Sequence, residues 1–532
     1  MDRNFIEAHN YKGIPYSKGV FQEKDLLSIL REHAYSIGDR NFLTVVNDEG
    51  NDITINFSDF FSLVLKWSSW FRKATGNKVS ETVGIIAVND LESVIAIFGL
   101  LNSGCKILFI NPTNPAKVTT GHLEQLDASV VLKSENLAST ENSFEVVGLP
   151  TAEMLLNYPE DKIYIPDNLR DDTFYFPTSG STSASKLVAQ THYGALVNAN
   201  ALQKHHQLDK NSLVLGCLPI YHVNGFHFTI IANLVSGSAA VLITAFSSFT
   251  FPNHIEKYKP TIVSIVPSIV EILLMVRRQW NLPEELKYAV TAAAPLSQNT
   301  AQKAYKQWGL KIMQGYGLTE TINFSTKMPI HISEAQYEKM MLNRKIPSIG
   351  IALFGNEVAL MDTNGNLITQ ENKEGEIVMR GHNIMKAYFA HPEETEKAFK
   401  HGWFHSGDIG YFQNCNESNQ PFFFITGRAK NVAKVRGESI SLEHMERVLK
   451  ELSFIKDVAC ISKANSLLEE EIVVAYVNTD NQAFSITKCQ DALKEDFPKH
   501  TIPENFVPME FIPRTPTGKL KRSELSSILN KI

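Results

Sequence analysis

The chain has little cysteine for its length: five in 532 residues, at Cys105, Cys217, Cys415, Cys460 and Cys489, with no Cys-x-x-Cys pair. That spacing offers neither a disulfide framework nor a zinc cluster, and it points to a reducing, cytoplasmic setting. Basic excess is missing too. Lys and Arg number 51 against 57 Asp and Glu, a formal charge of −6, so no global field draws nucleic acid or anionic lipid. The opening MDRNFIEAHNYKGIPYSKG lacks the apolar run of a secretory leader. From Asn211 to Ile255 there is no Asp, Glu, Lys or Arg at all. A membrane span needs roughly twenty uninterrupted apolar residues, and Pro219, His222, Asn224, His227, Asn233 and the Ser-Gly pair at 236–237 break this run. The segment reads instead as a buried strand, helix and strand: SLVLGCL, GFHFTIIANLV and AAVLIT.

What is present organises the chain. TVGIIAV and CKILFIN are short β-rich apolar runs, and LESVIAIFGLLNSG between them has helical periodicity ending at a glycine. ASVVLKS and TFYFPT extend the series; PTIVSIVPSIVEILLMV, YAVTAA and KIMQGYG repeat it. Such alternation predicts parallel βαβ units. From about Ser348 to Phe424 the texture turns to hairpin-like strands, with Asn-Gly at a turn in GNEVALMDTNGNLI. After FFFITGR the segments SLEHMERVLKEL, DVACISK, EIVVAYVN and KCQDALKEDF read as a small unit with its own core. The expected fold is α/β. A large N-terminal part over 1–426 comprises βαβ subdomains and a small β-barrel-like one, and an α+β cap covers 427–532.

Five motifs carry chemistry, each with a plainer alternative. In TSGSTSASK, residues Thr178, Ser179, Gly180, Ser181 and Thr182 let backbone N–H groups point at an anion that Lys186 can neutralise. It is not a Walker loop, because Ser185 stands at the second glycine and Leu187 at the magnesium-binding hydroxyl; an ordinary polar loop is the alternative. In QGYGLTET, Gly315 and Gly317 permit a tight turn around Tyr316, whose ring can lie against a purine. Thr319 offers a phosphate-directed hydroxyl and Glu320 a hard oxygen ligand for Mg²⁺, unless the stretch is only a glycine turn before a helix capped by Thr319. Asp408 in GWFHSGDIGYF can accept hydrogen bonds from two ribose hydroxyls, or it is a turn aspartate. GRAKNVAKVRGESISLEHME holds Arg428, Lys434 and Gly437 before a helix starting near Ser441, or forms a solvated basic hairpin. Lys519 in PRTPTGKLKR follows a Thr-Gly turn, on a catalytic loop or an exposed tail.

In this order, and joined by INFSDFFSLVLKW, LPIYHVNG and TAAAPLS, the motifs resemble nearly end to end those of the adenylate-forming acyl-CoA synthetases, relatives of luciferases and of peptide-synthetase adenylation domains. The resemblance implies an enzyme, an acid–thiol ligase that uses ATP and Mg²⁺ to form an acyl-adenylate and then transfers the acyl group to CoA. It implies that the 178–186 loop holds the β- and γ-phosphates, and that Tyr316 with the backbone of Ala293, Ala294 and Pro295 flanks adenine. Thr319 would touch the α-phosphate, Glu320 would bind Mg²⁺, and Asp408 with Arg428 would hold the ribose. Lys519 would reach the α-phosphate region as the carboxylate attacks. The cap would then rotate about a hinge at Lys430, exchanging the Lys519 loop for Lys434 and Gly437 on the acceptor side.

Departures from the family pattern keep a second class open, a homologue that binds a ligand without turnover. Ser183, Ser185 and Leu187 replace glycine, proline and glycine; Ala292 replaces a glycine; Asn431 and Ala433 replace an acidic residue and isoleucine. His222, Asn224, Gly225, Phe226 and His227 are the candidate substrate pocket. Amino-acid-activating relatives carry an aspartate there and this chain has none, so an α-amino acid is disfavoured and a fatty, aryl or other apolar carboxylic acid is expected. The expected acceptor is CoA, with a carrier-protein phosphopantetheine as alternative, and either is expected to come in trans.

Overall fold

The computed structural model describes residues 3–46, 52–76, 81–134, 145–178, 185–277, 279–415, 417–435, 438–465, 469–480, 482–515 and 518–530. Four sheets organise them. The first has nine strands in the order Ile351–Ala352, Thr326–Lys327, Ile312–Tyr316, Tyr288–Thr291, Ile262–Ile265, Leu213–Gly216, Ala239–Ile243, Asn41–Val46, Ile53–Asn56. Its six central strands run parallel, and the edges are antiparallel. The second has seven strands, with Asp172–Pro177, Lys106–Phe109, Thr82–Ile86, Val130–Lys133 and Glu145–Gly148 parallel, and Leu187–Thr191 and Ala387–Tyr388 antiparallel at one edge.

Both parallel sheets share one core because the connecting helices are apolar where they meet. In helix Leu91–Asn102 every residue but Glu92 is buried, as expected of a helix clamped between layers. It packs on helix Phe57–Ala74, where Gly99 leaves the space that Trp67 fills: a Cβ there would lie 2.2 Å from the indole. The uncharged stretch 211–255 forms strand, helix and strand as predicted, and the helix from Asn224 to Ile231 is wound as a π-helix before continuing as α-helix over Ala232–Ser236. Among the described residues no helix is long and apolar enough to cross a membrane.

The hairpin-like region becomes a five-stranded antiparallel sheet of Asn356–Met361, Gly375–Gly381, Trp403–Cys415, Phe399–Lys400 and Ser418–Arg428. Its long strand Trp403–Cys415 pairs with three others, Gly375–Gly381, Phe399–Lys400 and Ser418–Arg428, so the order branches there. The Gly350–Phe423 bridge ties it to the first sheet's edge. The fourth sheet, Glu438–Ser441, Val432–Val435, Glu469–Asn478, Ile455–Asn465 and Asn505–Pro508, packs on helices Leu442–Lys450 and Ile486–Leu493 around Met445, Leu449, Cys460 and Val474. Ser441 caps the first of these helices at the predicted place, accepting from His444 N.

Candidate active site

Parallel strands expose their carboxyl ends on one side of a sheet, and ligand sites form there. Three of the predicted motifs follow such ends: the 178–186 loop after Asp172–Pro177, TAAAP at the end of Tyr288–Thr291 and YGLTE at the end of Ile312–Tyr316. Thr178 and Ser185–Lys186 bracket the loop between Asp172–Pro177 and Leu187–Thr191, whose residues Ser179, Gly180, Ser181 and Thr182 lie outside the described residues. The neck is zipped: Thr178 N donates to Lys186 O at 2.8 Å, Lys186 N to Thr178 Oγ1 at 3.1 Å, and Ser185 Oγ to Thr178 O at 2.7 Å. Ser185, standing for a proline, thus closes the loop with its hydroxyl. Leu187 is fully buried at the start of its strand, which accounts physically for the failure of a Walker reading.

Lys186 turns from the loop towards Tyr388. Its Nζ lies 3.9 Å from the Tyr388 ring centroid and 3.3 Å from Glu394 Oε2. The Tyr388 hydroxyl donates to Glu320 Oε1 at 2.8 Å. One tyrosine therefore joins the loop cation to the motif carboxylate, and burial beside Glu320 pushes its phenol pKa far up. Glu320 sits in a single 3₁₀ turn, Thr319–Thr321, not in a helix capped by Thr319; the Thr321 hydroxyl accepts from Leu318 N instead. The turn is pinned by Gln190 Nε2 donating to Thr319 O at 2.8 Å and Met385 N to Glu320 O at 2.7 Å.

The glycines of QGYG are required by space. A Cβ on Gly317 would lie 1.6 Å from Asn323 O, and one on Gly315 would meet Phe324 at 2.9 Å. Between them Tyr316 donates its hydroxyl to Asp408 Oδ2 at 2.7 Å, and Arg428 Nε donates to Asp408 Oδ1 at 2.8 Å. Asp408 is 3% exposed, so its remaining lone pairs are held in a desolvated, fixed orientation. Asp408 draws the Arg428 guanidinium above its ordinary range, and burial pushes the Tyr316 phenol up. Nearby, the TAAAP segment leaves the end of strand Tyr288–Thr291 with Ala293 in the left-handed region at φ +71° and exposed, Ala294 half-buried and Pro295 exposed. Strain of that kind is held by surrounding structure and clusters at sites.

Lys519 arrives from the other end of the chain. Gly518 takes φ +81°, and a Cβ there would lie 3.3 Å from Ser268 Oγ on helix Pro267–Val276. Burial and repulsion from Arg428 lower the Lys519 ammonium pKa, while Glu320 and Asp408 oppose the shift. Its charge also bears on His222, which burial pushes down to about 4. The Gly518 loop borders a pocket of about 340 Å³ lined by Val88, Asn89, Leu218, Tyr221, Phe246 and Ser268, at strand ends of both parallel sheets. Lys430 lies in the 3₁₀ turn Ala429–Asn431, the covalent link between the third and fourth sheets. The backbone of Lys434 belongs to strand Val432–Val435, which pairs with Glu438–Ser441 as a hairpin. The Lys434 side chain and Gly437 lie outside the described residues.

Of the five pocket candidates, two have other work. A Cβ on Gly225 would meet Pro219 O at 2.3 Å, so this glycine serves a close backbone approach. Phe226 is wholly buried against Phe109, Phe174 and Phe176 and belongs to the core. His227 is buried with Nε2 at 2.9 Å from Gln190 Oε1, and its Nδ1 has no partner among the described residues. Asn224 and His222 are half-buried, and Asn224 Oδ1 is likewise unpartnered among the described residues. Sequence reasoning missed Tyr388, Gln190 and Ser268, since each acts through a neighbour far along the chain.

A family model of the AMP-binding enzymes matches residues 30–389, and a model of the AMP-binding enzyme C-terminal domain matches residues 444–519. An oxalate–CoA ligase from Arabidopsis thaliana is 23% identical over 526 residues, covering 94% of this chain and 98% of that protein. A 4-coumarate:CoA ligase from Petunia hybrida is 26% identical over 478 residues, 85% of each chain. The o-succinylbenzoate CoA synthetase of Bacillus subtilis, solved with its acyl-adenylate intermediate, superposes with a TM-score of 0.82 at 21% identity, covering 95% of this chain and 98% of that one. The same enzyme with ATP and magnesium ion gives 0.80 at 21% identity, over 94% and 99%.

Proposed function

The chain belongs to the AMP-binding enzyme family, and from that premise we propose how its own residues carry out the reaction of an AMP-forming acid–CoA ligase. A carboxylic acid attacks the α-phosphate of ATP, pyrophosphate leaves, and the acyl group of the adenylate passes to the thiol of CoA. Both curated relatives are CoA ligases, which supports CoA over a carrier-protein phosphopantetheine.

The obstacle is charge: one anion must approach another. The observation that carries the proposal is Lys519, brought from the C-terminal part into the field of Glu320, Asp408 and Arg428. There its ammonium lies opposite the growing charge on the α-phosphate. Asp408, oriented by Tyr316 and Arg428, accepts from the ribose hydroxyls. The backbone of Ala293, Ala294 and Pro295 and the Tyr316 ring bound the adenine. Lys186 and the loop from Thr178 to Thr182 receive the leaving pyrophosphate, and Thr319 donates to the α-phosphate. Mg²⁺ fits the donors present: no cluster of three His, Cys, Asp or Glu ligands occurs among the described residues, yet Mg²⁺ binds through one or two carboxylates plus nucleotide phosphates, and Glu320 is such a carboxylate. When bound it neutralises phosphate charge. His222, Asn224 and His227 face the acid.

We place the domain boundary at 427 and the hinge at Lys430, where a single turn links two sheets with separate cores. Rotation there withdraws Lys519, uncovers the pocket beneath Gly518 for the thiol, and presents Lys434 and Gly437 in its place. Incubating the protein with ATP, Mg²⁺, CoA and a panel of carboxylic acids tests the reading. AMP, pyrophosphate and an acyl-CoA are the expected products; ADP would indicate a phosphotransferase, and no nucleotide turnover a homologue that only binds.

A further inference from the structure

Gln190 is wholly buried in strand Leu187–Thr191, four residues past Lys186. A buried carboxamide costs free energy unless its polar atoms are bonded, and this one directs them at two other elements. Its Nε2 donates to Thr319 O at 2.8 Å and to Ile322 O at 3.3 Å. Carbonyl oxygens only accept, so the amide N–H groups must face them and Oε1 must face His227 Nε2, 2.9 Å away. Burial pushes the His227 imidazole down to about 3, so the ring is neutral and its one N–H lies on Nε2. His227 therefore donates to Gln190, and Gln190 donates to the turn.

That turn is strained. Ile322 has φ +66° and ψ −56°, and Asn323 N donates to Thr321 O at 2.7 Å across it, the geometry of the rare γ-turn. A β-branched residue keeps such a backbone only where the surrounding structure over-determines it. Ile322 is wholly buried, and a Cβ on Gly194 would meet its Cδ1 at 3.1 Å. Asn383 Nδ2 donates to Thr321 O at 3.3 Å and Met385 N to Glu320 O at 2.7 Å. Gln190 takes the remaining two carbonyls, the first and the last of 319–322. Tyr388, which holds the Glu320 carboxylate, pairs with Val188 of the same strand. Backbone and side chain of Glu320 are thus fixed from the sheet edge that begins at Lys186.

We propose that Gln190 is a positioning residue for adenylate formation: it holds the 319–322 turn against its strain, in the shape that aims the Thr319 hydroxyl and the Glu320 carboxylate at the nucleotide and its metal. It acts through the turn and touches neither of them. The proposal rests on the ligase reading above.

The test measures acid-dependent pyrophosphate exchange against ATP, Mg²⁺ and acid concentration, with melting temperatures alongside. The proteins are the wild type, Gln190→Met, His227→Leu and His227→Gln, the last keeping an N–H donor at similar reach. Gln190→Met leaves two buried carbonyls without their donor. It is expected to lower kcat/KM for ATP roughly ten- to hundredfold and to raise the Mg²⁺ needed for half-maximal rate, with KM for the acid unmoved. His227→Leu shifts the ATP and Mg²⁺ parameters in the same direction by less, and His227→Gln restores them. A merely structural role lowers the melting temperature and leaves the ATP and Mg²⁺ parameters of the folded enzyme unmoved; that result overturns the proposal. Should Gln190→Met fail to fold, equal ATP and Mg²⁺ parameters in His227→Leu and His227→Gln overturn it. If no acid supports exchange in the wild type, the ligase reading fails, and calorimetry with ATP and Mg²⁺ decides for Gln190. Weaker binding in Gln190→Met than in the wild type then sustains its hold on the turn, and equal binding, or none in either, overturns it.

Discussion

Tyr388 shows how much a single side chain can join. Its hydroxyl fixes Glu320 and its ring underlies Lys186, so the carboxylate proposed for the metal and the cation proposed for pyrophosphate share one support. Tyr388→Phe removes the hydrogen bond and keeps the ring. A hydrogen bond to a charged group contributes about 1.5–3 kcal/mol, so kcat/KM for ATP should fall roughly ten- to hundredfold, partly recovered by raised Mg²⁺. Initial-rate kinetics at several Mg²⁺ concentrations check this; an unchanged KM and kcat would separate Tyr388 from the site. Tyr388 was not legible in the sequence, because it meets Glu320 across 68 positions. Asp408, Glu320 and Lys519 stood out in the sequence because each lies in a short glycine-bearing motif: Gly317 serves a close backbone approach, and Gly407 and Gly518 take positive φ.

Elements were read more easily than sites. Strands such as Tyr288–Thr291 and helices such as Leu91–Asn102 have periodicity that survives into the fold, since burial on one or both faces selects the residues. The π winding of Asn224–Ile231 had no sequence signal, and the branched pairing of the β-rich subdomain depends on long-range partners that hairpin patterns do not specify. The turn Ala429–Asn431 is the element on which the proposed hinge, and with it the second half-reaction, depends. Proline at Lys430 fits a 3₁₀ turn yet fixes φ near −65°, so Lys430→Pro should keep pyrophosphate exchange within a few-fold of wild type. Formation of acyl-CoA should drop roughly tenfold or more, as a hinge step becomes limiting. Equal loss of both activities would move the hinge elsewhere.

At the scale of the whole molecule, two consequences follow from burial. His192, His206 and His227 are buried neutral: His192 Nε2 accepts from Leu26 N, and burial pushes His192 down to about 4 and His227 to about 3, with His206 also well below its ordinary value. Above pH 6.5 these groups are neutral whether the chain is folded or not, and stability is unaffected. Below it the unfolded chain takes up protons that the folded chain refuses, so stability falls with pH until the folded values are reached. Each histidine contributes at most about 1.4 kcal/mol per pH unit, and the three together at most roughly 3 kcal/mol between pH 6.5 and 5.5. Melting curves at pH 7.5, 6.5 and 5.5 should show most of the loss in the last interval; a constant melting temperature would mean that the histidines protonate in place.

The second consequence is convergence. On the proposed reading, residues from Thr178 to Lys519 serve one nucleotide, and Lys519 comes from a different sheet system than Glu320 and Asp408, whose field it enters. Acid-dependent exchange of labelled pyrophosphate into ATP measures this directly, because it isolates adenylate formation from thiol transfer. The wild type should exchange with a suitable carboxylic acid and Mg²⁺, and Lys519→Ala should lose roughly 10²–10³-fold of that rate with an unchanged melting temperature. Exchange at the wild-type rate in Lys519→Ala would contradict the account.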